Sequence, residues 1–268
     1  MCSLYPIARH SHGRQPYGAR SYGFTLIELS IALVVIALLI SAILVGEDLI
    51  RAAAMRKAAT DISSFKNATN TFYNKYRAFP GDMRNATRFW GAADSNPTTC
   101  ASIASTTGDS ATCNGNGNRR IDTPSERFRF WQHLANEGIV PGDYTGVQGP
   151  LLMGHEVPGS NVPITSWKSG GVAMFYGPPI NSWGWDHYFR YGAEKTSGAP
   201  LGLTNILTVP EAREFDNKVD DGLPGRGDIK ASQDSAFCIT NFVSEQTAIY
   251  RTDRTDTVDC VLYLDAGF

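Results

Sequence analysis

The segment from Phe24 to Val45, FTLIELSIALVVIALLISAILV, constrains this chain more than any other feature. Every side chain in it is apolar or a small hydroxyl, with the single exception of Glu28. At about 22 residues the segment is long enough to cross a hydrocarbon core roughly 30 Å thick. It differs from a cleaved secretory signal: no short apolar region leads into a small-residue cleavage site, and the preceding basic stretch ends in Gly23. Residues 1–23 contain Arg9, Arg14 and Arg20 and no acidic residue. Those arginines are expected to stay cytoplasmic, which delivers everything beyond Gly46 across the membrane.

The helical pattern continues past Gly46. Ala58, Ile62, Phe65, Thr69, Phe72 and Tyr76 recur at alternating spacings of four and three. No proline lies between Phe24 and Phe79 and Gly46 is the only glycine there, whereas Pro80-Gly81 is a strong stop. The pattern predicts one helix over 24–79, on the order of 80 Å long at about 1.5 Å per residue. Its first half is apolar all round. Its second half is amphipathic and must pack against chain that follows it.

Composition limits what the remainder can be. With 268 residues, 42% hydrophobic and 11% aromatic, the chain can build one sizeable packed domain plus appendages. Without the three arginines of residues 1–23, 21 of the 24 basic residues face 26 acidic ones, a net charge of -5. That balance argues against a nucleic-acid partner, which selects basic stripes. Of five cysteines, Cys2 lies in the basic leader and Cys100, Cys113, Cys238 and Cys260 lie far downstream. Beyond a membrane, four cysteines can pair completely. Three connectivities are open, and Cys100 with Cys113 and Cys238 with Cys260 are the expected couples.

Residues 80–268 read as a single α+β domain. FPGDMRNATRFWGAADS is a turn leading into a short helical or irregular segment. Residues 94–122, rich in Ser, Thr, Asn and Gly, suit a surface loop stapled through Cys100 and Cys113. TPSERFRFWQHLANEG is a marked helix, with Thr123 as N-cap, Pro124 as first helical residue, Glu126 as capping-box partner and Gly138 as terminator. Its expected buried stripe is Phe128, Trp131, Leu134 and Ala135, with His133 on the helix surface. Strand-like runs follow in GGVAMFYG, WGWDHYFRYG, AFCITNFV and DCVLYLDAGF, and TVPEAREFDNKVDDG is a further helix with a second capping box in Thr208 and Glu211.

Gly23 followed by Phe24, a hydroxyl, Leu-Ile, Glu28 and a long apolar run resembles the N-terminus of type IV pilins and type II secretion pseudopilins. The resemblance covers residues 23–45 closely and the helix to Phe79 loosely. It implies that a prepilin peptidase cuts after Gly23, that Phe24 is then N-methylated, and that Glu28 pairs with the Phe24 amine of a neighbouring subunit. A carboxylate in an apolar filament core is costly unless paired, which gives the glutamate its reason. The implied fold is α+β, a long N-terminal helix packed on a C-terminal antiparallel sheet. The implied organisation is a cleaved leader at 1–23, a helix at 24–79 with its membrane part at 24–45, and a periplasmic domain at 80–268. The implied partners are other pilin or pseudopilin subunits, the peptidase and methyltransferase, and the inner membrane. Two departures stand out: no proline marks the end of the apolar run, and the leader is long.

Other chemistry is thinner. In EFDNKVDDGLPGRGD, Asp216 and Asp220 share a helical face while Asp221 and Asp228 flank a Gly/Pro turn. Such a cluster offers oxygen ligands to calcium, and some pseudopilins bind calcium near the C-terminal sheet. Helix termination by solvated aspartates is the favoured reading. Asn114, Asn116 and Asn118 alternate like the start of an EF-hand loop, without its acidic first ligand and with Arg119 where the turn glycine belongs. Trp183 and Trp185 suit a glycan surface or, more readily, core packing, and Arg226-Gly227-Asp228 spells an adhesion tripeptide that a turn also explains. His133, His155 and His187 have no metal-ligand spacing, and no nucleophile elbow or H-E-x-x-H motif occurs, so no enzyme is expected. The competing reading of the whole is a single-pass anchored periplasmic binding or adhesion module that never polymerises.

Overall fold

The computed structural model of the chain describes residues 23–96, 110–151, 154–178, 184, 186–198, 202–232, 237–241 and 244–268. It divides into two compact units, one ending at Leu49 and the other running Ile50–Phe268. Helix α1 spans Leu26–Tyr76. It begins two residues later than the 24–79 pattern predicts because Thr25 caps it rather than joins it. It ends at Tyr76 because Arg77 turns into the left-handed region, with φ 53°. The Arg77 amide closes the last turn on the Tyr73 carbonyl at 2.7 Å, and Phe79-Pro80 cannot continue a helix.

In the first unit, Phe24 and the apolar side chains of α1 from Leu26 through Leu49 are exposed. The second unit contains a packed core. Along α1 from Ile50 onward, Met55, Ala58, Ile62, Phe65, Ala68, Thr69 and Phe72 are buried. These are the expected positions, together with Met55 and Ala68, while Tyr76 is half-buried. A one-turn helix, α2 (Thr87–Trp90), follows the Pro80-Gly81 turn.

Helix α3, Pro124–Asn136, starts from the predicted capping box, with Thr123 accepting from the Glu126 amide and Glu126 accepting from the Thr123 amide. Its burial is wider than a stripe. Phe128, Trp131 and Leu134 are buried as expected, but so are Phe130 and His133, and Ala135 is only half-buried. The expectation of a surface His133 is therefore wrong, because α3 is covered on several sides. Trp131 meets Phe65 of α1 edge-on at 5.0 Å between ring centres, and Phe130 packs against Phe189 at 6.3 Å.

The remaining elements are β1 (Gly171–Tyr176), β2 (His187–Gly192), β3 (Leu207–Thr208), α4 (Val209–Val219), β4 (Ile229–Ser232), β5 (Ile239–Thr240), β6 (Ile249–Tyr250) and β7 (Val258–Asp265). The main sheet is antiparallel in the order β1-β2-β7-β3, and β4 also pairs with β7. β7 is the central strand: β2 takes one edge, while β3 and then β4 succeed each other along the second, opposite Val258–Cys260 and Val261–Leu264. A separate β5–β6 hairpin pairs Ile239 with Tyr250. Helix α4 also opens with both halves of its capping box, Thr208 and Glu211. Glu211 additionally receives Arg51 of α1 at 2.9 Å and Lys168 at 2.6 Å, which ties the first turn of α4 to α1. The architecture is α+β, a long N-terminal helix followed by a domain with an antiparallel sheet.

Candidate functional site

The backbone at Gly23, Phe24 and Thr25 is not helical, and all three residues are exposed. A Cβ at Gly23 would meet nothing within 4 Å, and Phe24 is 88% exposed. The reason lies one turn further on. The Thr25 hydroxyl accepts from the Glu28 amide at 3.3 Å, and Glu28 Oε2 accepts from the Thr25 amide and hydroxyl at 2.8 Å each. This is a reciprocal capping box, which fixes where the helix starts. The Gly23–Phe24 peptide bond is left outside the helix in accessible backbone, the state in which chains are cut. Glu28 Oε1 has no hydrogen-bond partner among the described residues. The role of Thr25 was not read from the sequence, although T-x-x-E before an apolar run is the capping-box signal.

Beyond Glu28, the hydroxyls of Ser30 and Ser41 donate to the carbonyls of Ile27 and Ala37, at 2.9 Å each. They thereby satisfy themselves on their own helix, as a waterless surrounding requires. α1 is long and apolar enough to cross a membrane. Residues 18–44 match the prokaryotic N-terminal methylation motif. That motif is the type IV pilin and pseudopilin signature, and the matched span holds Gly23, Phe24 and Glu28. It supports a prepilin-like precursor and a membrane-anchored chain. No curated protein and no solved structure matches the chain.

Away from the methylation motif, Cys238 and Cys260 form a disulfide with Cα atoms 5.0 Å apart, fastening the start of β5 to β7. Cys113 is disulfide-bonded; its expected partner, Cys100, lies outside the described residues, as do Trp183 and Trp185. Three of the four aspartates come together: oxygens of Asp216, Asp220 and Asp221 lie within 4.8 Å of one another. Asp228 instead faces Lys66 at 3.8 Å and is 72% exposed. Asp216 accepts from the Tyr250 hydroxyl at 2.7 Å and the Gly222 amide at 3.1 Å. Asp220 accepts from the Ile229 amide and Asp221 from the Leu223 amide. Burial, with Asp220 and Asp221 beside it, pushes the Asp216 carboxyl up to about 6. The trio supplies three carboxylates toward the six to eight oxygens that calcium takes, and each already closes the turn after α4.

The asparagine loop faces the wrong way for a cation. Asn114, Asn116 and Asn118 each spend a side-chain oxygen on a backbone amide, those of Thr87, Asn118 and Arg120. The amides of Gly117, Asn118 and Arg119 point inward at the Asp82 carboxylate, at 2.6, 3.1 and 2.7 Å. The loop is an anion-holding nest filled by the chain's own carboxylate. Arg119, with φ 66°, takes the left-handed conformation of the glycine it replaces. Arg226-Gly227-Asp228 lies on an exposed turn, where Arg226 donates to the Gln246 carbonyl at 3.0 Å.

The histidines are separated. His133 Nδ1 accepts from the Gly81 amide at 2.9 Å, and Nε2 meets the Thr112 hydroxyl at 3.0 Å. Burial holds its pKa at about 3, so it stays a neutral structural link. His187 accepts from the Ile121 amide, and His155 meets Glu194 at 3.0 Å.

Proposed function

We propose that this chain is a prepilin whose mature form builds a type IV pilus or a type II secretion pseudopilus, as a minor or specialised subunit. A prepilin peptidase cuts the Gly23–Phe24 bond, the new Phe24 amine is N-methylated, and α1 holds the subunit in the inner membrane before it packs into a filament. The arginine-bearing leader stays cytoplasmic and the second unit is periplasmic. The match of residues 18–44 to the methylation motif carries this reading. The non-helical, exposed Gly23–Phe24 bond supports it.

Glu28 completes the argument. Its Oε2 is committed to Thr25 while Oε1 has no partner among the described residues. In an apolar filament core that oxygen demands a cation, and the Phe24 amine of a neighbouring subunit supplies one. The part played here is structural, with peptidase and methyltransferase acting on the chain. The test is intact-mass and N-terminal peptide analysis of protein from its native membrane. A chain that starts at N-methylated Phe24 is expected. A chain that keeps residues 1–23 beside an active prepilin peptidase would overturn the reading.

A further inference from the structure

Two adjoining cavities lie between α4 and the β5–β6 hairpin. The larger, about 340 Å³, runs past Pro210, Arg213 and Thr252. The second, about 240 Å³, is walled by Leu223, Pro224 and Ile249. Arg213, Tyr250 and Thr252 line both, so the two form one groove beside α4. Two of its apolar side chains are open, Ile249 at 55% and Leu223 at 37% exposure. Arg213 is exposed and has no ion-pair partner among the described residues. Its basic neighbours are already neutralised, Lys218 by Glu214 and Arg251 by Asp253. The groove therefore suits apolar side chains set beside a carboxylate.

α1 carries that combination just past its apolar run, in Glu47-Asp48-Leu49-Ile50. Leu49 is 66% and Ile50 71% exposed. Glu47 and Asp48 are exposed and have no ion-pair partner among the described residues. These four residues immediately precede Arg51, which holds Glu211 of α4 at 2.9 Å. Lys218 of α4 reaches Met55 Sδ at 3.7 Å.

We propose that this groove is the docking site for the Glu47–Ile50 segment of a second copy of the chain. Leu49 and Ile50 of that copy cover Leu223 and Ile249, and its Glu47 and Asp48 neutralise Arg213. The two surfaces differ, so the contact is heterologous and can repeat from copy to copy, as a filament requires. The inference rests on the filament reading given above and adds the contact that follows membrane anchoring.

Full-length chains carrying Leu49→Cys and Leu223→Cys, co-expressed and oxidised in the native membrane, test it. A mixed disulfide dimer is expected only when both variants are present, in the sheared filament fraction as well as the membrane. Arg213→Glu is expected to lower its yield by at least about tenfold, since it sets like charges against each other. Glu47→Lys together with Asp48→Lys should restore it. Filaments of processed chain without the dimer would refute the groove and leave the prepilin reading standing. A dimer in membranes that yield no filament would support the groove and refute polymerisation. A dimer indifferent to Arg213→Glu would refute the docking geometry, and absence of both dimer and filament would refute both readings.

Discussion

Along α1 the side chains before Ile50 are exposed almost without exception, whereas those after it alternate between exposed and buried. The backbone is one uninterrupted helix of 51 residues, yet the two stretches answer different needs. From Met55 to Phe72 the buried positions recur at helical spacing, and their partners are the chain's own α3 and sheet. From Leu26 to Leu49 the apolar residues cover every face, and no described residue of the unit covers them. A stripe means that the partner is on one side and is encoded in the same chain. Apolar residues all round mean that the partner surrounds the helix, as lipid tails or a ring of other helices do. The polar exceptions obey the same division: Ser30 and Ser41 bond to their own helix, while Glu28 has one oxygen without a partner among the described residues.

The comparison breaks most visibly under core truncation. Phe72 is fully buried against Tyr76, Trp90 and His133, with ring centres 4.7 to 6.3 Å away. Phe72→Ala is expected to cost the second unit about 3–5 kcal/mol. Leu38→Ala, at a residue 66% exposed, is expected to leave that unit's stability within about 0.5 kcal/mol. Urea unfolding of the full chain in micelles, followed by tryptophan fluorescence, reads both. Equal shifts would show that the two stretches share one core.

A smaller effect separates the units by pH. Asp216 is buried and its carboxyl is raised to about 6, from an ordinary 3.8. A raised carboxyl makes the folded state prefer the proton. The stability this gives is full at low pH and is lost as pH climbs from about 4 through 6. The lost portion corresponds to roughly 3 kcal/mol at most. Asp216→Asn keeps an acceptor for the Gly222 amide and removes the titration. The variant's second unit should therefore lose the slope between pH 4 and 7 and be no less stable than the parent at pH 8. A parent whose urea midpoint is flat over that range would show that Asp216 is paired in solution by something other than Tyr250.

These contrasts also mark what was legible in the sequence. The stripe on α1, both later capping boxes and the Cys238–Cys260 couple are repeated closely by the structure, and the pattern around Gly23 lies within the residues 18–44 that match the methylation motif. The 2-residue strands β3, β5 and β6 were invisible or overdrawn, because pairing with a distant strand decides them rather than any local alternation. β4, running through Lys230, was hidden for the same reason. His133 looked like a surface residue since helix spacing alone cannot show that α3 is covered on several sides. Asp82 went unnoticed because its partners, the amides of residues 117–119, are backbone groups that no side-chain pattern reveals.

The smallest expected effect sharpens the comparison at the very start of α1. Thr25→Val keeps the shape of the side chain and deletes the hydroxyl, which both accepts from the Glu28 amide and donates to Glu28 Oε2. The backbone bond from the Thr25 amide to Glu28 remains available, so the cap is weakened rather than abolished, by about 1 kcal/mol. Hydrogen exchange of the full chain in micelles should then speed up by about fivefold at the amides of Glu28 and Leu29, which bond to the Thr25 hydroxyl and carbonyl. Amides from Met55 to Phe72, held by the core of the second unit, should not change. Glu28→Gln retains an acceptor for Thr25 and should exchange like the parent. Acceleration that travelled as far as Phe65 would mean that the start of the helix and its packed half open together. No acceleration at Glu28 and Leu29 would mean that the cap is not what fixes the boundary between Phe24 and the helix, and the exposed Gly23–Phe24 bond would need another cause.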